Sequence, residues 1–490
     1  MHSIFDIYRH SLSLLTDLYQ LTMAYGYWKT GTTDKEAVYH LFFRKAPFQG
    51  GFAINCGLEY VVGFLERFGF NEEETEYLGS LEGHDGKPLF ERGFLKYLKN
   101  LKFSCDIDAI PEGTVVFQQE PLVRVSGPIV QCQLLETALL NIVNFQTLIA
   151  TKAARIKEAA GNRPVIEFGL RRAHGFDGGL TASRAGYVGG ADGTSNVLAG
   201  MTFGIPVKGT HAHSWVMSFE DELTAFKEYA AALPNNCVFL VDTYDTLRGV
   251  DHAIEAGRWL RENGHELIGI RLDSGDLAYL SIQAREKLDK AGFEKAQIMA
   301  SNDLDEHIIA SLNLQGAEID SFGVGTKLAT AYDQPALGGV YKLGAVRTAN
   351  GPWQYKLKAS EQQVKISNPG ILQVRRYLAD GEYSADAIYD KASDLEGDVI
   401  IVDPIDVTRR KIIPKTTPYR DLLVPIFRKG KCVYSLPTLT DIKAHCQKDL
   451  STFHPGVKRF MNPHRYPAGL ESSLHEQKMQ LVLEARGLPL

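Results

Sequence analysis

The segment "GTHAHSW", Gly209 to Trp215, sets two histidines two residues apart directly after the apolar run "FGIPV". Such a pair can ligate a metal, accept a phosphoryl group, or pack as ordinary imidazoles. Zinc would need further ligands from other strand ends. His252 and His307 fall in helical patterns and His265 precedes its strand, so a metal-hydrolase centre is not supported. A packed imidazole remains open for either histidine, above all His211. His213, beside Ser214, is placed to act as a nucleophile toward a phosphoryl group.

Carboxylates and arginines recur at similar places. Asp242 follows "CVFLV" and Asp273 follows "LIGIRL". Either could simply cap the next helix. Together with Asp245 and Asp276 they would line a mouth with negative charge, and facing carboxylates repel unless a cation or sugar hydroxyls lie between them, which implies Mg²⁺ or a ribose. The segment "GVGTK", Gly323 to Lys327, offers backbone N–H groups free of side-chain obstruction, as a phosphate cradle requires. Arg171 and Arg172 follow "EFGL", and Arg271 lies inside the strand-like run "IGIRLD". An arginine within a strand is costly to bury unless it faces an anion. It is the sharpest indication of an anionic substrate.

These residues need a scaffold that brings strand ends together. From the long helical pattern closing at Gly161 to about residue 345, short β runs alternate with helical patterns: "VIEF", "GIPV", "CVFLV", "LIGIRL", "QIMA" and "IDSFGV", each followed by a polar or Gly-containing segment. Alternating β and α segments imply parallel strands joined by right-handed crossovers. Functional groups at nearly every strand end favour an α/β barrel over an open doubly wound sheet, which gathers its ligand at one switch point. Residues 1–150 mix helical patterns with strand runs such as "AVYHLFFR" and form an α+β domain. Residues 151–345 form the barrel, and 346–490 lose the alternation and read as an α+β extension partly packing on the N-terminal domain.

At 490 residues the chain exceeds the ~250 to 300 at which a single core stops growing, so several domains are expected. Composition is that of a soluble protein, 44% hydrophobic and 23% charged, with net charge −6. No block of like charge could serve as a nucleic-acid or membrane arm. The six cysteines are scattered without a C-x-x-C pair, which fits a reducing cytoplasm. The opening "MHSIFDIYRHSLSLLTDLYQ" is interrupted by charge and is no export leader, and no apolar run approaches the ~20 residues of a membrane helix.

Several longer segments carry a resemblance: "LLTDLYQLTMAYGYW", "FRKAPFQGGFAINCGLE", "PEGTVVFQQEPLVRVSGPIVQCQLLET", "EFGLRRAHGFDGGLTASRAGYVGGADGTSNVLAG", "GTHAHS", "IRLDSGDL", "QPALGGVYKL" and "NPHRYP". Together they resemble the nicotinate phosphoribosyltransferases. The resemblance implies an irregular TIM-like barrel with an α+β domain, and a homodimer whose active sites lie at the subunit interface. It implies joining of nicotinate to 5-phosphoribosyl 1-diphosphate with coupled, ligase-type ATP hydrolysis in NAD salvage, ATP being a co-substrate. The histidine phosphorylated in that family matches His213. The family's nicotinate contacts match Tyr19, Arg171, Thr210 and Arg271, and a phosphate contact matches Thr326. Ser301, Asn302, Gly323 and Gly325 are expected to complete the phosphoribosyl diphosphate site, with Asp242 and Asp273 as catalytic carboxylates and Mg²⁺ ligands. A nicotinamide-specific relative would carry an Asp where this chain has Ser195, and a non-catalytic nucleotide sensor would not need His213, Asp273 and Arg271 intact.

Overall fold

A computed structural model describes residues 11–349, 351–393 and 395–489. The first ten residues, half of the stretch read above as no export leader, lie outside the described residues. The chain groups into two compact units, one built from the chain up to Leu148 and from Ala336 onward, the other from Ile149–Pro335. The C-terminal region, set apart in sequence by its texture, therefore groups with the N-terminal residues instead of standing alone.

In the first unit a seven-stranded antiparallel sheet runs in the order Gln354–Tyr355, Gly339–Arg347, Glu36–Phe43, Val123–Pro128, Asp106–Ala109, Val424–Arg428, Lys431–Cys432. Every residue of the "EAVYHLFF" strand after Glu36 is buried, as its nearly continuous apolar run requires. A second, six-stranded sheet is formed entirely by C-terminal residues, between Leu372 and Glu471. Arg376 is fully buried in this unit, which is tolerable only because Asp386 lies 2.6 Å away and Asp449 3.3 Å away.

The second unit holds six short parallel strands: β1 (Val165–Glu167), β2 (Gly193–Thr194), β3 (Val238–Leu240), β4 (Gly269–Leu272), β5 (Gln297–Ala300) and β6 (Ser321–Val324). They pair in the order β2-β1-β6-β5-β4-β3 in a curled half-barrel sheet. The helices are α1 (Gly175–Val188), α2 (Val197–Phe203), α3 (His213–Met217), α4 (Glu222–Ala232), α5 (Thr246–Glu262), α6 (Leu277–Lys290), α7 (Glu306–Leu314) and α8 (Thr326–Ala329). An aspartate begins four of them: Asp221, Asp245, Asp276 and Asp305 each accept a backbone N–H from the first turn. Asp245 and Asp276 are thus caps, and the four-carboxylate mouth expected from sequence reduces to Asp242 and Asp273.

The expected closed barrel is not continuous as a ladder. Among the described residues β2 and β3 are edges, and the run "GIPV" forms no strand, only a single parallel bridge between Val207 and Thr194. The gap toward β3 is met by a side chain: the Leu240 backbone N–H donates to His211 Nε2 at 3.2 Å. The long helix Glu136–Ala160 ends as its sequence suggests, at Gly161 with φ +62°, a left-handed conformation that glycine adopts without penalty.

Candidate active site

Except for Tyr19, every residue expected at the site lies in the second unit, in the C-terminal half of a strand, just beyond a strand's end, or in the Thr210–His213 segment. Tyr19 is in the first unit on the helix Leu18–Lys29, exposed, its phenol made less acidic by partial burial and the charges of Glu136 and Asp17.

His211 and His213 have parted. His211 is buried among Phe226, Tyr229 and Phe239, and burial lowers its pKa to about 4. It is a neutral imidazole that accepts one backbone N–H. His213 is partly exposed; its Nδ1 lies 3.1 Å from the Thr243 hydroxyl and its Nε2 3.8 Å from Asp273 Oδ2.

The carboxylates form a connected pair. Asp242 Oδ2 accepts the Asp273 backbone N–H at 2.8 Å and the Ser274 hydroxyl at 2.6 Å. Asp273 Oδ1 accepts the Ser301 hydroxyl. Asp242 Oδ1 is buried without a hydrogen-bond partner, a costly state for a carboxylate oxygen unless a bound group meets it. Two hard oxygen donors on neighbouring strands suit Mg²⁺, which takes one or two protein carboxylates plus substrate phosphates and water. No group of three or more His, Cys, Asp or Glu among the described residues is arranged to hold an ion by itself. Asp242 and Asp273 thus fit part of the oxygen shell of a magnesium ion.

Arg271 projects from β4 beside them. Its Nη1 donates to the Thr210 hydroxyl at 2.6 Å, while its Nε is buried with no partner. Burial lowers its basicity; Asp273 and Asp242 oppose that shift, and the charge of Arg171 adds to it. Two guanidinium groups that feel each other, one with an unsatisfied donor, are arranged to receive an anion. Arg171 itself is exposed in the short turn Leu170–Arg172.

Of the residues expected at the phosphates, Ser301 is buried and Asn302 has φ +103°, an uncommon conformation for a residue with a side chain. Gly325 precedes α8, whose first turn leaves backbone N–H groups without helical acceptors. Gly323 has a packing reason as well: a Cβ there would come within 2.6 Å of the Phe168 ring.

Family models for nicotinate phosphoribosyltransferase (NAPRTase) match the chain in three pieces, the N-terminal domain over residues 14–144, the NAPRTase family over 165–354 and the C-terminal domain over 373–478. Nicotinate phosphoribosyltransferase of Bacillus subtilis (strain 168) is 46% identical over 486 residues, 97% of this chain and 96% of that protein. This chain belongs to the nicotinate phosphoribosyltransferase family. Its human relative of that name is 35% identical across 94% of this chain and 95% of that protein. The crystal structure of human nicotinic acid phosphoribosyltransferase superposes with TM-score 0.83 at 33% identity, covering 95% of this chain and 99% of that one. A nicotinate-nucleotide pyrophosphorylase from Pyrococcus furiosus, at 23% identity and TM-score 0.69 over 92% of this chain and 98% of that one, shares the fold.

Within this family member, sequence reasoning passed over Thr243 and Ser274, which hold His213 and Asp242. Both directly follow a strand-end aspartate, in "DTYDT" and "DSGD", and a hydroxyl beside a functional carboxylate was the available signal.

Proposed function

We propose that this chain joins nicotinate to 5-phosphoribosyl 1-diphosphate, giving nicotinate mononucleotide and diphosphate, with ATP hydrolysed alongside. The observation that carries the reading is Arg271: a largely buried guanidinium on Thr210, with an unsatisfied Nε and no carboxylate in ion-pair contact among the described residues. A substrate carboxylate is the partner it lacks. Full-length similarity to proteins named for this activity supports the substrate.

The pyridine nitrogen attacks the anomeric carbon as the bond to diphosphate breaks, so positive charge grows on the ribose in the transition state. Asp242 and Asp273, at adjacent strand ends, supply negative charge to that centre. The same carboxylates would hold Mg²⁺, which when bound would supply positive charge for the diphosphate leaving group. The nicotinate ring nitrogen is unprotonated at neutral pH, so no general base is required and orientation by Arg171, Arg271 and Thr210 does the rest. Ser301, Asn302, Gly323, Gly325 and Thr326 would receive the phosphoribosyl phosphates. His213 would accept a phosphoryl group from ATP, with Thr243 orienting the ring.

The half-barrel would work as an irregular barrel, with the His211 segment standing where strand pairing is missing. A homodimer with shared sites is supported by large apolar side chains exposed beyond β1 and β2, Phe176, Val197 and Met201, each more than two-thirds accessible. Tyr19 would then serve a partner's pocket. A cytoplasmic location fits the unpaired cysteines, five of them buried, and no helix among the described residues is long and apolar enough to cross a membrane.

Product analysis tests the reading. Nicotinate, nicotinamide and quinolinate are offered in competition with 5-phosphoribosyl 1-diphosphate, with and without ATP. Nicotinate mononucleotide should dominate and ATP should raise its yield; preferential use of nicotinamide would refute the assignment.

A further inference from the structure

Glu167, the last residue of β1, is almost completely buried, and the proposed chemistry leaves it without a role. Among the described residues no lysine, arginine or histidine forms an ion pair with it. Its carboxylate instead gathers donors from three places. Oε1 accepts the Gly169 backbone N–H, at the base of the turn that carries Arg171. Oε2 accepts the Ser183 hydroxyl of α1 at 2.9 Å and the Thr194 hydroxyl of β2 at 2.6 Å. Thr194 Oγ1 in turn accepts the Asn196 backbone N–H at 3.0 Å, and Asn196 Nδ2 reaches Ser183 Oγ at 3.2 Å. Between Thr194 and Asn196 sits Ser195, whose own N–H is held by the Glu167 carbonyl at 2.9 Å.

Glu167 thus fixes both ends of one arc: the turn with Arg171 and the segment with Ser195. A leucine or alanine could fill such a position in an ordinary strand. Three convergent donors exceed the two lone pairs of a single amide or hydroxyl oxygen, and a carboxylate can accept them all. The carboxyl-terminal residue of β1 is also where side chains of parallel barrels turn toward the ligand.

We propose that Glu167 is a positioning residue for the pyridine end of the site, holding the Arg171 turn and the Ser195 segment in register through Gly169, Ser183 and Thr194. This rests on the reading of nicotinate as substrate. Glu167 touches no reacting atom; it sets where the groups that receive the ring stand.

Glu167→Gln tests it, since the amide keeps the shape but its one oxygen can accept from at most two of the three donors, leaving its NH₂ facing the third. Nicotinate KM should rise on the order of tenfold, while KM for 5-phosphoribosyl 1-diphosphate and kcat stay within about threefold. In an Arg171→Ala background the same change should add little, because its effect passes through the turn that Arg171 occupies. Equal worsening of both KM values and kcat together with lower thermal stability, or full additivity with Arg171→Ala, would reduce Glu167 to a fold-stabilising residue and overturn the proposal. A wild-type protein that forms no nicotinate mononucleotide would instead overturn the underlying function, so the two failures are distinguishable.

Discussion

Arg271→Ala is the most direct perturbation of the proposed chemistry. The guanidinium is largely buried, one nitrogen engaged by Thr210 at 2.6 Å and Nε unsatisfied. A substrate carboxylate arriving there would gain charge-assisted hydrogen bonds in a poorly solvated place. Removing the arginine leaves that carboxylate desolvated and unpaired, at about 2 to 4 kcal/mol, or roughly 30- to 700-fold in nicotinate KM. Thr210→Val removes a neutral partner only, about 1 kcal/mol, and should cost on the order of fivefold. Steady-state rates with nicotinate varied, at saturating 5-phosphoribosyl 1-diphosphate and ATP, read both. Because the effect acts through the substrate's charge, preference for nicotinate over nicotinamide should shrink by a similar factor. Thermal stability should fall little, since no protein carboxylate loses an ion-pair partner. An unchanged nicotinate KM in a folded variant would refute the reasoning.

With γ-labelled ATP the chain should take up an acid-labile, base-stable label that is absent in His213→Ala and present in His211→Ala; a label on His211, or none under rapid quench, would sink the nucleophile assignment. Mixing inactive Tyr19→Ala and His213→Ala chains should restore part of the activity if sites are shared between subunits, and no recovery in proven mixed dimers would rule that out. His211 gives a pH signature: its folded pKa is depressed to about 4 by burial, so the unfolded chain takes up the proton first. The stability it contributes is complete above about 6.5 and is lost as pH falls toward 4. His211→Gln, which can still accept the Leu240 N–H, should therefore show a flatter melting temperature across that window; an identical slope would mean that His211 does not titrate there.

The sequence showed which charged residues gather at the strand ends better than it showed the frame around them. Arg271 was legible because charge inside an apolar β run has few explanations, and Asp242 and Asp273 because each closes such a run. Their neighbours Asp245 and Asp276 carried the same residue type but a different duty, and only the positions of the helix starts separate caps from site carboxylates. Strand β2 went unseen since Gly193–Thr194 has no apolar run to announce it, whereas "GIPV" has one and forms a single bridge. The pairing of Glu36–Phe43 with Gly339–Arg347 joins segments about three hundred residues apart, and no local pattern encodes such a partner. Glu167 stood in plain view in "VIEF", but its value depends on Ser183 and Thr194 reaching it from separate elements.

The two histidines of "GTHAHS" show how local structure separates two side chains that residue type alone leaves equivalent. In an extended segment, residues two apart point the same way, so both imidazoles would share one environment and one fate. The chain instead turns into a helix at His213, with Ala212 as its extended N-cap. That change of period within two residues sends His211 inward, to the Leu240 N–H and a cluster of aromatic rings, and leaves His213 between Thr243 and Asp273. The inward ring loses basicity through burial and gains a fixed acceptor role; the outward one keeps a nitrogen beside a carboxylate and access to solvent. A nucleophile needs the second environment, and closing the gap beside β3 needs the first. Moving the helix start by one residue would exchange neither environment cleanly, which ties the proposed chemistry of His213 to the structural duty of His211.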